Sequence, residues 1–332
     1  MEGRSIRAVT FTSAEHAAFG DVVMPPPAPG EVQIRTLYST VSAGTEGWVL
    51  KNQFTWAPTP FPCVPGYQRV GVVERLGENV EGLAPGEAIM ATVGRWSGAV
   101  LPHWGAHAAV ANTPFTEVYR IPAGADRVDA SAAVVAQVGY NAAMRAQIEP
   151  NAWCVVYGDG LIGQFGAQAL RARGARVIMV GRRPLRLQLA ERHSADYAIR
   201  ASDATAHQVR EITGGAPIRA ILDTVQTVEA QHQYLPLLEH GAGQIVYSGF
   251  TPGTTWADMA LLQQQELTTH FVSGWTRPRM EATLQLIARG ALNLKPLLTH
   301  LESPSRAADV YQAILNKDPG LLGVTFDWNT QS

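Results

Sequence analysis

The segment Gly158-Asp159-Gly160-Leu161-Ile162-Gly163 spaces three glycines as a backbone must be spaced to lie against a pyrophosphate. The first glycine permits a tight turn. The second leaves no Cβ between main chain and phosphate, and the third lets a helix pack closely on the strand before it. Glycine is abundant here, at 31 residues, so the spacing gains its weight from context. The turn follows the apolar run 153–157 and opens the helix-compatible run 161–173. Unpaired N–H groups and the partial positive charge at such a helix start favour phosphate. Gly158, Gly160, Leu161, Ile162 and Gly163 are the candidate contacts; the other reading is a glycine turn in a wound sheet that binds nothing.

The end of the next apolar run selects between dinucleotides. Sites for NAD usually place Asp or Glu there, accepting from the adenosine ribose hydroxyls. This chain reads Val180-Gly181-Arg182-Arg183-Pro184-Leu185-Arg186, with Gly181 at the expected acidic position. Glycine removes the repulsion toward a 2′-phosphate and is expected to leave room for one. Arg182 and Arg183, with Arg186 behind them, can offer planar, charge-assisted hydrogen bonds to that phosphate. The expected cofactor is NADP(H); the alternative is a solvated arginine cluster.

These groups need elements to hold them. Up to about residue 125 the chain has short β-branched stretches punctuated by glycine and proline, at 32–37, 71–76, 88–93, 106–110 and 118–121. An alternating segment at 6–11 precedes them, and Pro25-Pro26-Pro27-Ala28-Pro29-Gly30 makes a stiff turn. From about 128 the character changes. A helix is expected over 129–146, followed by alternating strands (153–157, 177–180, 220–222, 244–247, 270–273) and helices (161–173, 185–193, 228–238, 279–289). Apolar strands alternating with helices predict a parallel sheet covered on both faces. The tail mixes strands at 297–301 and 323–326 with a helix at 305–315. The fold class is α/β: a β-rich domain joined to a doubly wound parallel-sheet domain.

Over nearly its whole length the chain resembles the medium-chain dehydrogenase/reductase superfamily. The likeness is carried by Val41-Ser42-Ala43-Gly44-Thr45-Glu46, by Pro65-Gly66-Tyr67-Gln68-Arg69-Val70-Gly71-Val72-Val73 and by Gly82-Leu83-Ala84-Pro85-Gly86-Glu87. It continues in the Gly158 to Gly163 turn with Gln168, and in Leu297-Leu298-Thr299-His300. The resemblance implies a GroES-like catalytic domain over 1–133, a Rossmann NADP(H)-binding domain over 134–276 and a return segment over 277–332. It extends the cofactor contacts to Thr45, Thr224, Val225, Ser248, Gly249 and Phe250. The loop Ser42 to Glu46 and the terminal Val324-Thr325-Phe326-Asp327-Trp328 also resemble the hydroxyethyl-bacteriochlorophyllide dehydrogenase branch, which oxidises a secondary alcohol.

Zinc members of the superfamily carry cysteine where Ala43 stands, histidine where Tyr67 stands and commonly glutamate where Gln68 stands. The four-cysteine lobe corresponds to 93–107, which has no cysteine. Alanine cannot ligate zinc, and phenol or neutral amide is a poor substitute for imidazole or thiolate. Both zinc sites are expected to be absent. His103 and His107 are four apart in a segment broken by proline and glycine, without a third ligand, and are read as surface or core histidines.

The resemblance then implies hydride transfer without a metal, in which hydrogen-bond donors or a proton source support the oxyanion. Tyr67 is the leading donor. Thr45 matches a proton-relay hydroxyl and is a possible contact to the nicotinamide ribose. Glu46 is either a general acid/base or a salt-bridged loop carboxylate. Gln68 either bonds substrate or fills the space of a ligand, and Tyr140 either lines the cleft or is core. Trp48, Trp56, Trp96 and Trp104 sit in expected loops and either fill the core or form an apolar substrate wall. Trp275 is a candidate dimer contact. Activated alkenes (enone, enoyl thioester or quinone) and ketone/alcohol pairs are the competing substrates. A cofactor-binding protein without turnover is the non-enzymatic reading.

Composition limits the partners. The chain has 332 residues, 46% hydrophobic and 16% charged, with net charge −2, the balance of a globular protein long enough for two domains. There is no basic excess for nucleic acid and no basic run for a membrane surface. Met1-Glu2-Gly3-Arg4-Ser5 leads into the alternating segment with no long apolar core, so a cytoplasmic location is expected. Two cysteines, Cys63 and Cys154, make no disulfide framework. The expected partners are a small-molecule substrate and a second copy in a homodimer.

Overall fold

The computed structural model describes residues 3–253 and 256–331; Met1 and Glu2 of the N-terminal segment lie outside the described residues. Along the chain the first part contains β1 (Arg4–Ser13), β2 (His16–Met24), β3 (Glu31–Val41), α1 (Ala43–Leu50), β4 (Cys63–Val64), β5 (Arg69–Leu76), β6 (Ala88–Ala91), β7 (Leu101–Pro102), β8 (Val110–Pro114) and β9 (Val118–Arg120). Helices α2 (Arg127–Ala130) and α3 (Ala133–Arg145) lead into β10 (Trp153–Tyr157), α4 (Leu161–Ala172), β11 (Arg176–Gly181), α5 (Pro184–His193), β12 (Tyr197–Arg200), α6 (Thr205–Thr213), β13 (Ala220–Asp223), α7 (Val228–Tyr234), β14 (Gln244–Tyr247), α8 (Met259–Gln264) and β15 (Thr268–Phe271). The last stretch has α9 (Arg277–Ala288), β16 (His300–Glu302), α10 (Ala307–Leu315) and β17 (Val324–Asp327).

Two compact units emerge. One comprises Met1–Val134, Met280–Arg289 and Leu298–Ser332; the other comprises Val135–Arg279 and Gly290–Leu297. The first is GroES-like and β-rich. Its larger sheet runs β16-β17-β3-β5-β6-β9 with β8 also on β3, and its smaller sheet runs β2-β1-β4-β7. The chain's end is woven in: β17 pairs antiparallel with β3, Val324 opposite Val41. A core of Val9, Phe11, Leu50, Cys63, Tyr311 and Phe326 joins β1, α1, α10 and β17.

The second unit is a Rossmann sheet in the order β12-β11-β10-β13-β14-β15, and every neighbouring pair is parallel. Strands buried on both faces must be apolar throughout, and Trp153 to Tyr157 are all buried. The order reverses between β10 and β13, and the crevice outside the carboxyl ends of such strands is where this topology binds ligands.

Several expected elements shift. The strand expected at 106–110 is Val110–Pro114; residues 106–109 instead make single main-chain bonds, such as Ala106 N–H to Gly66 O and His107 N–H to Pro65 O. The stretch expected as an active-site loop is helix α1, so Trp48 stands on a helix and not in a loop. The helix expected over 228–238 stops at Tyr234 and continues as a tight turn, because Pro236 has no N–H to extend it. Elements β2, β12, α6 and α8 had no counterpart among the expected ones.

Candidate functional site

In the Rossmann unit, the turn after β10 is built as its glycines require. Gly158 has φ +113°, and a Cβ there would lie 2.0 Å from Thr224 Oγ1. Gly160 opens α4 with nothing within 4 Å of its missing Cβ. Gly163 packs so closely that a Cβ would lie 2.0 Å from Gly158 O. The three glycines thus perform three tasks: a strained turn, an open approach and close packing. Leu161 and Ile162 begin the helix whose first N–H groups point along the turn. Gln168, further along α4, donates to Asn293 O at 3.1 Å and accepts from Asn293 N–H at 2.7 Å, tying residues 290–297 to this helix.

The neighbouring strand ends hold the remaining cofactor candidates. Buried Asp223 closes β13: its Oδ1 accepts from Val225 N–H (2.8 Å) and Gln226 N–H (2.9 Å), and its Oδ2 accepts from Tyr234 O–H at 2.9 Å. Burial pushes its carboxyl pKa up, against the pull of those donors. The carboxylate fixes the turn carrying Thr224, whose hydroxyl donates to Tyr157 O at 3.0 Å, and the exposed Val225. After β14, Ser248 is fully buried and its hydroxyl has no hydrogen-bond partner among the described residues. Gly249 follows at φ +100°, and Phe250 is exposed. Tyr140 lies half-buried on α3, beside Gly139, where a Cβ would come within 2.6 Å of Gly166 N on α4. Trp275 is half-buried after β15.

The residues that close β11 depart from expectation. Gly181 does not leave an empty space. A Cβ there would lie 2.5 Å from Asp159 Oδ2, so the side chain of the second turn residue fills the position. Asp159 Oδ2 accepts from Arg182 N–H at 2.7 Å and Arg183 N–H at 2.9 Å, and its Oδ1 lies 3.5 Å from Arg186 Nη1. Arg182 is exposed and Arg183 half-buried. Burial, with the charge of Arg183 beside it, lowers the Arg186 pKa; one guanidinium group, that of Arg186, and two main-chain N–H groups meet on the Asp159 carboxylate.

In the GroES-like unit a second cluster of polar groups is buried. Tyr67, on the segment between β4 and β5, hydrogen-bonds with the Ser42 and Thr45 side chains; burial pushes its phenol up to about 12, assisted by the charge of Glu46. The ring meets Trp104 edge-on at 5.3 Å. Beneath lies Glu46, fully buried. Its Oε1 accepts from Ser42 N–H at 2.8 Å, while Oε2 lies 3.0 Å from His107 Nε2 and accepts from Tyr311 O–H. His107 Nδ1 is 2.8 Å from Ser39 Oγ, which also accepts from Trp328 Nε1–H at 2.8 Å. Glu46 is therefore engaged on both oxygens within its own core, by the Ser42 main chain on one side and by His107 and Tyr311 on the other. Gln68 is fully buried and donates to Thr40 O at 3.1 Å, which places it in the sheet interior. Thr45 is partly exposed on α1.

The tryptophans do not form one wall. Trp48 packs on the core of α1 and α10. Trp56 is 56% exposed against Phe54. Trp96 donates Nε1–H to Val100 O at 2.8 Å and packs against Gly94 and Gly105. Trp104 packs against Tyr67. The sequence reading passed over Asp159, Asp223, Tyr311 and the partnering of His107. Asp159 and Asp223 were detectable as lone carboxylates at the ends of apolar strands; Tyr311 meets Glu46 across 265 residues and left no local sign.

The donor set does not fit zinc. Ala43 supplies a methyl group. Burial favours the protonated phenol of Tyr67, the Gln68 amide donates to main chain, and both His107 nitrogens are engaged by Glu46 and Ser39. Cys63 is buried, and burial pushes its thiol up to about 12. Among the described residues no group of three or more His, Cys, Asp or Glu side chains is arranged to hold a metal ion, nor is any helix long and apolar enough to cross a membrane.

A parallel Rossmann sheet with a glycine turn and a GroES-like unit carrying the Tyr67 cluster together define an oxidoreductase of the alcohol dehydrogenase type. Residues 28–123 match the family model for the alcohol dehydrogenase GroES-like domain, and residues 162–289 match the model for zinc-binding dehydrogenases. The chain belongs to the medium-chain dehydrogenase/reductase superfamily. Among curated relatives, the 2-desacetyl-2-hydroxyethyl bacteriochlorophyllide A dehydrogenase of Cereibacter sphaeroides is 26% identical over 308 residues, covering 91% of this chain and 92% of the relative. A putative zinc-binding dehydrogenase from Sinorhizobium meliloti, solved bound to NADP, superposes with TM-score 0.85 at 20% identity over 98% and 99% of the two chains. An alcohol dehydrogenase from Escherichia coli, solved with NADH, gives TM-score 0.85 at 20% identity over 98% and 100%. Both cofactors thus occur on this fold, and the choice rests on local residues.

Proposed function

We propose that this chain is a zinc-independent, NADP(H)-dependent oxidoreductase that moves hydride between the nicotinamide and an apolar or aromatic carbonyl or activated alkene. The observation carrying this reading is the Tyr67 hydroxyl, held protonated among Ser42 and Thr45 where zinc relatives place a metal ligand. The proposed organisation is a catalytic domain over 1–133, a cofactor domain over 134–276 and a return segment over 277–332, working as a cytoplasmic homodimer.

The Rossmann residues fit the cofactor. Gly158, Gly160, Leu161, Ile162 and Gly163 would hold the pyrophosphate, and Arg182, Arg183 and Arg186 around Gly181 the 2′-phosphate. Thr224, Val225, Ser248, Gly249 and Phe250 would line the nicotinamide half, where the Ser248 hydroxyl, without a hydrogen-bond partner among the described residues, is a ready donor. When bound, NADP(H) supplies or accepts the hydride. Tyr67 donates a hydrogen bond, then a proton, to the substrate oxygen as charge develops there. Ser42 and Thr45 hold its hydroxyl in place, and Glu46 holds their turn. Trp104 and Trp56 offer apolar surface to substrate, whereas Trp48, Trp96 and Gln68 serve packing.

The alternative reading is a secondary alcohol/ketone pair, favoured by the full-length likeness to a bacteriochlorophyllide dehydrogenase. A third reading is a cofactor-binding protein without turnover. NADPH oxidation assayed against enones, quinones and aromatic ketones, with the reverse reaction on secondary alcohols, separates the three. Turnover with any carbonyl or alkene class supports the oxidoreductase; cofactor binding with no turnover in either direction overturns it.

A further inference from the structure

Selectivity for the adenosine end is ordinarily read from the residue that closes the second strand of the sheet, here Gly181. The contacts at that position belong to another residue. Asp159 reaches from the glycine turn, and its Oδ2 stands 2.5 Å from where a Cβ on residue 181 would be. A carboxylate is therefore present at the end of β11, but it is supplied by the turn after β10. Its bonding also differs from that of a ribose-binding carboxylate. Oδ2 takes two main-chain N–H groups, Arg182 at 2.7 Å and Arg183 at 2.9 Å, and Oδ1 faces Arg186 at 3.5 Å. The side chains of the Asp159–Arg186 pair are 10% and 16% exposed, so neither is a loose surface group.

We infer that Asp159 is a positioning residue for 2′-phosphate recognition: it holds the turn between β11 and α5 so that the arginines at 182, 183 and 186 present their guanidinium groups to that phosphate. The inference rests on the NADP(H) reading and extends it. Arg183 precedes Pro184, the first residue of α5, in extended backbone. The N–H groups of Arg182 and Arg183 precede the first helical residue, so α5 itself offers them no acceptor. Asp159 satisfies both through one oxygen, fixing where the arginine side chains leave the main chain. Because both bonds go to Oδ2, holding the turn requires an acceptor at that atom and not the negative charge as such.

This separates two roles by substitution. Asp159→Asn can keep an oxygen in place of Oδ2; Asp159→Ala cannot. Binding of 2′,5′-ADP and of 5′-ADP, measured by calorimetry on the full chain, isolates the 2′-phosphate without requiring turnover. The native protein is expected to bind 2′,5′-ADP the more tightly. Asp159→Ala is expected to lose about tenfold in 2′,5′-ADP affinity, the scale of one charge-assisted contact, with 5′-ADP affinity little changed. Asp159→Asn is expected to retain most of the preference. Tighter 2′,5′-ADP binding in both variants would mean that the carboxylate merely repels phosphate, and equal loss of both ligands would mean a general structural role; either overturns the inference. A native protein that binds the two ligands equally would defeat the NADP(H) reading itself. A native preference that survives Asp159→Ala defeats the inference alone. Gly181→Asp adds an independent arm: it is expected to abolish binding of both ligands while Asp159 is present, and to bind 5′-ADP when combined with Asp159→Ala. Binding of 5′-ADP by Gly181→Asp alone would show that the two side chains do not compete for one position.

Discussion

Tyr67 has the chemistry of a donor that stays protonated at neutral pH until a substrate oxygen takes its proton. Desolvation raises its phenol from 10.0 to about 12. The folded chain thus holds this proton more tightly than the unfolded chain, so its contribution to stability is complete below about pH 10 and is lost as pH rises toward about 12. Tyr67 is expected to place no basic limb on the kcat profile below pH 10. Replacing it with Phe keeps the ring against Trp104 and removes only the hydroxyl. The expected result is a fall in kcat of about 100-fold, the lower end for loss of a positioned proton donor, with cofactor dissociation constants unchanged. Steady-state kinetics beside fluorescence titration of NADPH decides this; an unaltered kcat would remove Tyr67 from the chemistry. The sequence made this residue conspicuous because a phenol stands where metal chemistry needs imidazole. It could not show that the hydroxyl is already partnered by Ser42 and Thr45, since those contacts depend on how α1 folds over the β4–β5 segment.

The elements below Tyr67 are held by one buried network. Glu46 on α1, His107 before β8, Tyr311 on α10, Ser39 on β3 and Trp328 after β17 are drawn together from five parts of the chain. Gly66 closes the arrangement: at φ +87°, a Cβ would lie 2.5 Å from the His107 ring, so both backbone and space require glycine there. Glu46→Ala leaves the His107 and Tyr311 donors unsatisfied in the core, and the expected cost is about 3–5 kcal/mol. Glu46→Gln retains an acceptor and should cost about 1–2 kcal/mol. Chemical denaturation of the two variants measures both; equal midpoints would show that the carboxylate does not hold the network. The sequence left Glu46 open between acid/base and ion pair, and only the three-dimensional partners resolve its bonding. Local signals served better where one strand or helix carries its own reason: 153–157 and 244–247 were legible as apolar runs. Helix α1 was not legible, because two glycines in eight residues mask its helical character, and half-exposed β12 carries too little apolar pattern to stand out.

At the scale of the whole molecule, both domain types were legible because each repeats its pattern many times: alternating strands and turns early, strand–helix pairs later. What local pattern could not supply was how the 93–107 lobe is bonded. Arg69, fully buried, donates to Gly105 O at 3.4 Å and to the Thr113 hydroxyl, which in turn donates to Val93 O at 2.8 Å. Its contacts thereby link both ends of the lobe, while Gly94 N–H bonds Trp104 O at 2.5 Å across it. Burial lowers the Arg69 guanidinium to about 9, which leaves it cationic at neutral pH. A lobe closed by arginine, main chain and tryptophan needs no thiolates, and a Tyr67 cluster filled with hydroxyls offers a cation no soft ligand. The two lobes therefore make one prediction together. Elemental analysis of protein purified without chelators is expected to find far less than one zinc per chain, and incubation with phenanthroline should change neither melting temperature nor NADPH turnover. A structural zinc in the lobe would lower the melting temperature on chelation and spare the native rate constant at low temperature. A catalytic zinc would do the reverse, with activity returning on zinc addition. Stoichiometric zinc with either pattern would overturn the metal-free reading at the corresponding lobe and leave the other standing.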